Sequence, residues 1–205
     1  AVRHTYTSRT TMNDTRAQIL ERNFQAVRLH GFQGMRADKV ITDLGITKGA
    51  LYHYFPNKFE LGYAIVDELV APAYISSWRP FEEATEKHLD ALVACLEFHK
   101  QRATEEDIRL GCPLNNLVQE MTPLDEGFRT RLQAVVHGMQ ASLERGFRNA
   151  QAAGTITTVV DPAQTAWFVL SCVEGSYGMA KAAQSLRVFN TSIDQLITYL
   201  RTLEL

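Results

Sequence analysis

Cysteine is scarce in this 205-residue chain: Cys95, Cys112 and Cys172 are widely spaced and odd in number. That usage argues against a disulfide framework, points to a reducing cytoplasm, and offers no CxxC pair for a zinc site. Cys95 and His99 are four apart on one expected helix, with His88 further back. Two ligands without a third predict no metal, and nothing implies a cofactor. Long hydrophobic runs are also missing, since the most apolar stretch, 167–173, soon meets Glu174. No membrane span is expected, and nothing resembles a secretory signal. The motifs of catalysis are absent too: no phosphate-binding glycine loop, no nucleophile elbow and no carboxylate pair placed by a motif. Catalytic residues are therefore expected to be none, and an enzyme is not the expected class.

A strong excess of positive charge is lacking, with a net charge of −2. The average hides an asymmetry. Residues 1–60 carry nine Lys and Arg against five acids, whereas the rest carries twelve against eighteen. The basic end is the one that would face a polyanion. What the chain does have is 45% hydrophobic residues arranged at helical spacing, enough for a sizeable core.

The stretch from Arg36 to Lys58, RADKVITDLGITKGALYHYFPNK, organises the basic end. Val40, Ile41 and Leu44 form an apolar stripe, and Gly45 stands where a helix commonly stops in a left-handed conformation. Thr47 caps a second, very short helix to Tyr54, with Leu51 and Phe55 inward and Thr47, Lys48, Tyr52 and His53 outward. Asn57 and Glu60 form a capping box for a third helix that carries Lys58 in its first turn. Short helix, glycine turn, short helix is the helix-turn-helix plan, whose second helix enters the DNA major groove.

These residues resemble a family. GITKGALYHYFPNK is similar to the recognition-helix signature of TetR-type bacterial transcriptional regulators, and the resemblance is specific over about 19–61. It implies that Thr47, Lys48 and Gly49 approach base edges, that Tyr52, His53, Tyr54 and Lys58 meet the DNA backbone, and that Arg36 and Ala37 open the preceding helix against DNA. Arg22 with Asn23, and Asp43 with Leu44, replace two common alanine-containing pairs of the family. Those changes bear on packing more than on contacts.

The expected architecture is all-α. Residues 1–12 form an extension or tag remnant in which Arg3 and Arg9 offer a minor-groove arm; 13–58 form a three-helix helix-turn-helix head; 59–205 form a helical ligand-binding and dimerisation domain. The first helix, capped by Asn13 or Asp14, presents Leu20, Phe24 and Val27 and stops at Gly31. Pro80 opens a helix to about Gln101, Pro113 another, and Asp125 a long one with the stripe Phe128, Leu132, Val135, Met139, Leu143 and Phe147. Asp161 and Pro162 open a helix with small residues at Ser171, Gly175, Gly178 and Ala182. The last helix, after Asn190, presents Ile193, Leu196, Ile197, Leu200 and Leu203. The family resemblance implies a homodimer through these last two helices.

The resemblance also implies a pocket for a small apolar or aromatic inducer in the second domain. Its candidate walls are Tyr63, Tyr74, Trp78, Phe98, His99, Cys112, Asn115, Met121, His137, Met139, Trp167, Phe168 and Tyr177. The expected partners are a palindromic double-stranded operator and that inducer, which releases the repressor. An alternative is thiol sensing: Cys112 stands at an N-cap, where the helix dipole lowers a thiol's pKa, with Lys181 as an assisting cation. Glu105, Glu106 and Asp107 would oppose that if close, and a buried, inert Cys112 is the reading preferred. A third possibility is a ligand-binding protein of this fold without a DNA role.

Overall fold

A computed structural model describes residues 12–205, with side chains from Thr15 onward. Residues 1–11, with the arm residues Arg3 and Arg9, lie outside what is described, and Asn13 and Asp14, expected as caps, fall inside a helix that already runs from Met12. The described residues form helices and no strand beyond a single bridge, Ile156 to Glu204. They divide into two compact units that meet at Ile65 and Val66, seven residues beyond the boundary expected from the sequence.

In the head, α1 (Met12–Gly34) is interrupted at Gly31, whose φ of 72° is open to glycine at no steric cost. Packed on α1 are α2 (Ala37–Asp43), α3 (Lys48–Tyr54) and α4 (Lys58–Ala64). Ile19, Leu20, Val27, Phe32, Met35, Ile41, Leu51 and Phe55 are buried. Phe24, expected inward, is only half-buried. Asn23 takes an inward place instead, and its amide donates to the Ile19 carbonyl at 2.8 Å. Arg16 lies over the Phe55 ring at 5.0 Å and closes the end of α3.

The chain continues from α4 through a π-helical turn, Ile65–Val70. The second unit contains α5 (Ala71–Ser76), α6 (Arg79–Glu82), α7 (His88–Arg102), α8 (Glu105–Leu110), α9 (Pro113–Met121), α10 (Glu126–Ala152), α11 (Pro162–Ala183) and α12 (Leu186–Arg201). The single helix expected from Pro80 to Gln101 is two, broken before a left-handed Lys87. Its first piece is pinned to α10. A Cβ on Gly146 would lie 2.5 Å from the Phe81 ring, so only glycine admits that approach, and Phe81 meets Phe147 edge-on at 5.0 Å. Glu82 then accepts from Ser142 and Arg145, both at 2.6 Å.

The stripe of α10 is buried along its whole length. Asp125 caps it, accepting from the Phe128 N–H at 2.8 Å, and Asp161 caps α11 in the same way at 2.8 Å. The segment after Thr104 is α8, held by a Thr104–Asp107 capping box, and its Ile108 is fully buried. The last helix starts at Leu186, four residues earlier than Asn190, and buries Phe189, Ile193, Leu196 and Leu200. Lys100 ties α7 to Asp194 of α12.

Candidate nucleic-acid interface and regulatory cluster

The helix-turn-helix is built by caps at both ends of its turn. Gly45 adopts φ of 68° after Leu44, and Ile46 returns its N–H to the Ile41 carbonyl at 3.0 Å. Thr47 Oγ1 then accepts from the Ala50 N–H at 3.2 Å and starts α3. With Leu51 and Phe55 buried, helical geometry leaves Thr47, Lys48, Gly49, Tyr52 and His53 exposed as one outward surface. Tyr54 is half-buried, with the His53 ring 5.2 Å from its own.

Arg36 is exposed at the N-cap of α2 and Ala37 is the first residue of that helix. The Asp38 carboxylate lies 3.5 Å from Arg36 Nη2 and 3.7 Å from Lys48 Nζ. Lys58 does not simply project outward. Its Nζ donates to the Gln33 carbonyl at 3.0 Å and sits 4.9 Å over the Phe32 ring, which fixes its ammonium beside the end of α1. The structure thus brings together Arg36 and Lys48, through an acid that the sequence reading did not single out.

In the second unit the sequence candidates separate into three places. Trp78, Met121 and Met139 are buried, and Trp78 lies 5.4 Å from the His99 ring. Neither Trp78 Nε1 nor His99 Nε2 has a hydrogen-bond partner, and burial holds the His99 pKa below its usual value. Phe98, Trp167 and Phe168 are on the surface of the subunit, with Arg102 over Phe98 at 5.4 Å and Phe168 against Tyr199 at 5.0 Å. His137 is exposed and meets Trp167 edge-on at 5.8 Å. Tyr63 belongs to the head and lies 6.4 Å from Phe59.

The remaining candidates converge on Cys112. Its sulfur accepts from the Asn115 N–H at 3.5 Å, the cap expected from the sequence, and contacts Tyr74 Oη at 3.3 Å. Asn115 Nδ2 donates to the Glu174 carbonyl at 3.3 Å, and the Glu174 carboxyl is near enough to act on the thiol's ionisation. Tyr177 stacks near Phe189 at 4.4 Å and, through burial first and the neighbouring Cys112 and Glu174 charges next, has its pKa raised.

Cys112 is buried, in line with the reading preferred from the sequence, and the helix dipole considered in the alternative does not set its pKa. The side chain is buried, and desolvation pushes the thiol well above its usual value, with the Glu174 charge adding to the rise. Among the acids, Glu174 acts on it most strongly. Lys181 does not offset the effect: its Nζ donates to Asn116 Oδ1 at 3.0 Å, although its stem passes Gly111, where a Cβ would lie 2.8 Å from Lys181 Cδ. Burial also raises the Glu174 pKa, and its Oε2 has no partner. Glu174 was missing from the sequence candidates, though a lone acid within the apolar face of α11 was its available signal. Among the described residues, no three His, Cys, Asp or Glu side chains gather to hold a metal ion. No helix among them is long and apolar enough to cross a membrane.

A capped helix-turn-helix with an exposed polar second helix, attached to a larger helical unit, defines a DNA-binding regulator of the two-unit type. The family of bacterial regulatory proteins named tetR matches residues 19–65, and the tetracyclin repressor-like C-terminal domain matches residues 88–196. The chain belongs to the TetR family and is a DNA-binding transcriptional regulator. It is 26% identical over 187 residues to the HTH-type transcriptional regulator in the lacX 3' region of Lactococcus lactis, covering 91% of this chain and 93% of that one. The transcriptional regulator AcuR of Cereibacter sphaeroides is 31% identical over 137 residues, 64% of this chain and 60% of AcuR. In fold, the chain is similar to the reduced form of Escherichia coli NemR, with a TM-score of 0.81 at 22% identity over 94% of this chain and 97% of NemR.

Proposed function

We propose that the protein is a homodimeric repressor that reads a palindromic operator with α3 and is released by a small molecule bound in its second unit. The observation that carries this reading is the outward surface of α3: Thr47, Lys48, Gly49, Tyr52 and His53 are exposed while Leu51 is buried. On this reading Thr47, Lys48 and Gly49 meet base edges. Arg36, Ala37, Tyr52, His53, Tyr54 and Lys58 position the head on the phosphate backbone. Two-fold symmetry requires half-sites about 34 Å apart, or a multiple of that.

Dimerisation through α11 and α12 is supported by what one subunit leaves uncovered. Trp167, Phe168, Met179 and Tyr199 are exposed apolar residues on these helices. A Cβ added at Gly175 or Gly178 would meet nothing within 4 Å, which leaves room for a second backbone to approach. The inducer is an apolar or aromatic molecule with a few polar contacts, and the unpartnered Trp78 Nε1, His99 Nε2 and Glu174 Oε2 supply such contacts. Its effect follows from unequal affinity for dimers with different head spacing. The working location is the cytoplasm, where the operator is.

The test is selection of duplexes from a random pool by the wild-type protein, then fluorescence anisotropy against salt. A recovered palindrome bound in a salt-dependent manner supports the reading; recovery of no common sequence overturns it. Thiol sensing by Cys112 with Lys181 is a second reading, favoured by the Tyr74 contact to the sulfur and by similarity to a repressor solved in a reduced form. Burial and the raised thiol pKa favour the non-covalent reading over it. Iodoacetamide labelling separates them: the non-covalent reading predicts that Cys112 labels far more slowly in the folded protein than in urea.

A further inference from the structure

Asp38 stands between two of the cations that the proposed operator contacts require. A single carboxylate oxygen, Oδ2, faces both Arg36 Nη2 at 3.5 Å and Lys48 Nζ at 3.7 Å. The three residues come from the start of α2 and the start of α3, the two helices of the helix-turn-helix. All three side chains are solvated, with about a third of the Asp38 side chain and some two thirds or more of Arg36 and Lys48 exposed. Pairs this open contribute little to stability. Desolvation, the largest single effect, raises the Asp38 pKa, but the charge of Arg36, the Lys39 N–H and the charge of Lys48 together outweigh it and lower the pKa. A negative charge in this place is costly for a protein that approaches a polyanion, and it does nothing for the core.

We propose that Asp38 is a specificity-determining residue: its carboxylate occupies, in the free head, the place between Arg36 and Lys48 that a DNA phosphate oxygen would take. On a duplex of arbitrary sequence these cations exchange one anionic oxygen for another and gain little. The carboxylate, left beside the phosphates, adds repulsion. On the right sequence Lys48 gains acceptors on a base edge, guanine O6 and N7 being the pair suited to a lysine, and the exchange becomes favourable. Asp38 therefore suppresses non-specific binding more than specific binding. The inference rests on the proposed DNA reading of α3.

The experiment compares wild type, Asp38→Asn and Asp38→Ala by fluorescence anisotropy on two duplexes: one recovered by wild type from a random pool, and a scrambled version of it. Both variants are expected to bind the scrambled duplex roughly fivefold more tightly, with a salt dependence steeper by about one counterion, so that the ratio of specific to non-specific affinity falls. In an Arg36→Ala, Lys48→Ala background, Asp38→Asn is expected to keep only the smaller part of that gain, the relief of direct repulsion of the phosphates. Unchanged scrambled-duplex affinity, an equal gain on both duplexes, a loss of binding, or a full gain in the doubly substituted background would each overturn the inference. Wild type that binds neither duplex in a salt-dependent way would instead overturn the proposed function, and this inference with it.

Discussion

Two helix N-termini, those of α3 and α9, share one local design and serve opposite environments. Thr47 caps α3 and Cys112 caps α9, each accepting the N–H three residues on. The residues around Thr47 are exposed, and the charge beside them, Asp38, is solvated and firmly ionised. Cys112 is buried, and its charged neighbour, Glu174, is shifted toward its neutral form. The same backbone geometry thus exposes hydrogen-bonding groups in the head and confines them in the second unit. Free energy in the head is available for binding a partner, whereas in the second unit it is committed to packing.

The sharpest way to break this comparison is to exchange the readouts. Phe147→Ala, in the contact with Phe81, is expected to destabilise the second unit by about 3–5 kcal/mol. Lys48→Ala should leave denaturant stability within about 0.5 kcal/mol while altering sequence preference. Urea melts and anisotropy titrations of the two variants check this together. Equal stability losses would contradict it.

Glu174→Gln tests the confinement directly. A carboxyl whose folded pKa is raised binds more protons folded than unfolded, so its contribution is full below the ordinary value of 4.5 and is lost as pH rises through the folded value. Gln imitates the protonated acid. The variant is therefore expected to melt close to wild type at pH 4 and about 2–4 °C higher at pH 8, by thermal melts. A lower melting temperature at pH 8 would show that the ionised acid is stabilised by something else.

Much of the fold was legible because its signals are local. Caps at Thr47, Asn57, Asp125 and Asp161, left-handed Gly45, and the unbroken stripe of α10 are all signals carried by nearby residues. The break between α6 and α7 was not legible in local signals, and the contact that anchors α6, Phe81 against Gly146 and Phe147, lies some sixty residues away in the chain. The candidate site divides in the same way. The outward positions of α3 follow from helical period, whereas Asp38 and Glu174 matter through partners that only the fold supplies: Lys48 on α3 in one case, the Cys112 thiol in the other. Burial also reverses the sign of the dipole argument at Cys112, since desolvation outweighs a helix terminus.

Smaller effects sharpen the comparison. Thr47→Ala removes the cap of α3 and should cost roughly 1 kcal/mol in urea melts, with weaker operator binding as well. His99 has a lowered folded pKa, so the unfolded chain binds the proton more readily. Its contribution is present above pH about 6.5 and lost as pH falls. His99→Gln is expected to flatten the acid side of the melting-temperature profile between pH 7 and 5, and an unchanged slope would remove His99 as its source.

The most direct test of the account is the salt dependence of binding to a selected duplex by wild type and Lys58→Ala. Lys58 is held by the Gln33 carbonyl and the Phe32 ring at a fixed place beside α1. If the head meets DNA as proposed, the variant binds specific and scrambled duplexes more weakly by the same factor, and its salt slope is shallower by about one counterion. Binding and slope identical to wild type on both duplexes would contradict the proposed docking of the head.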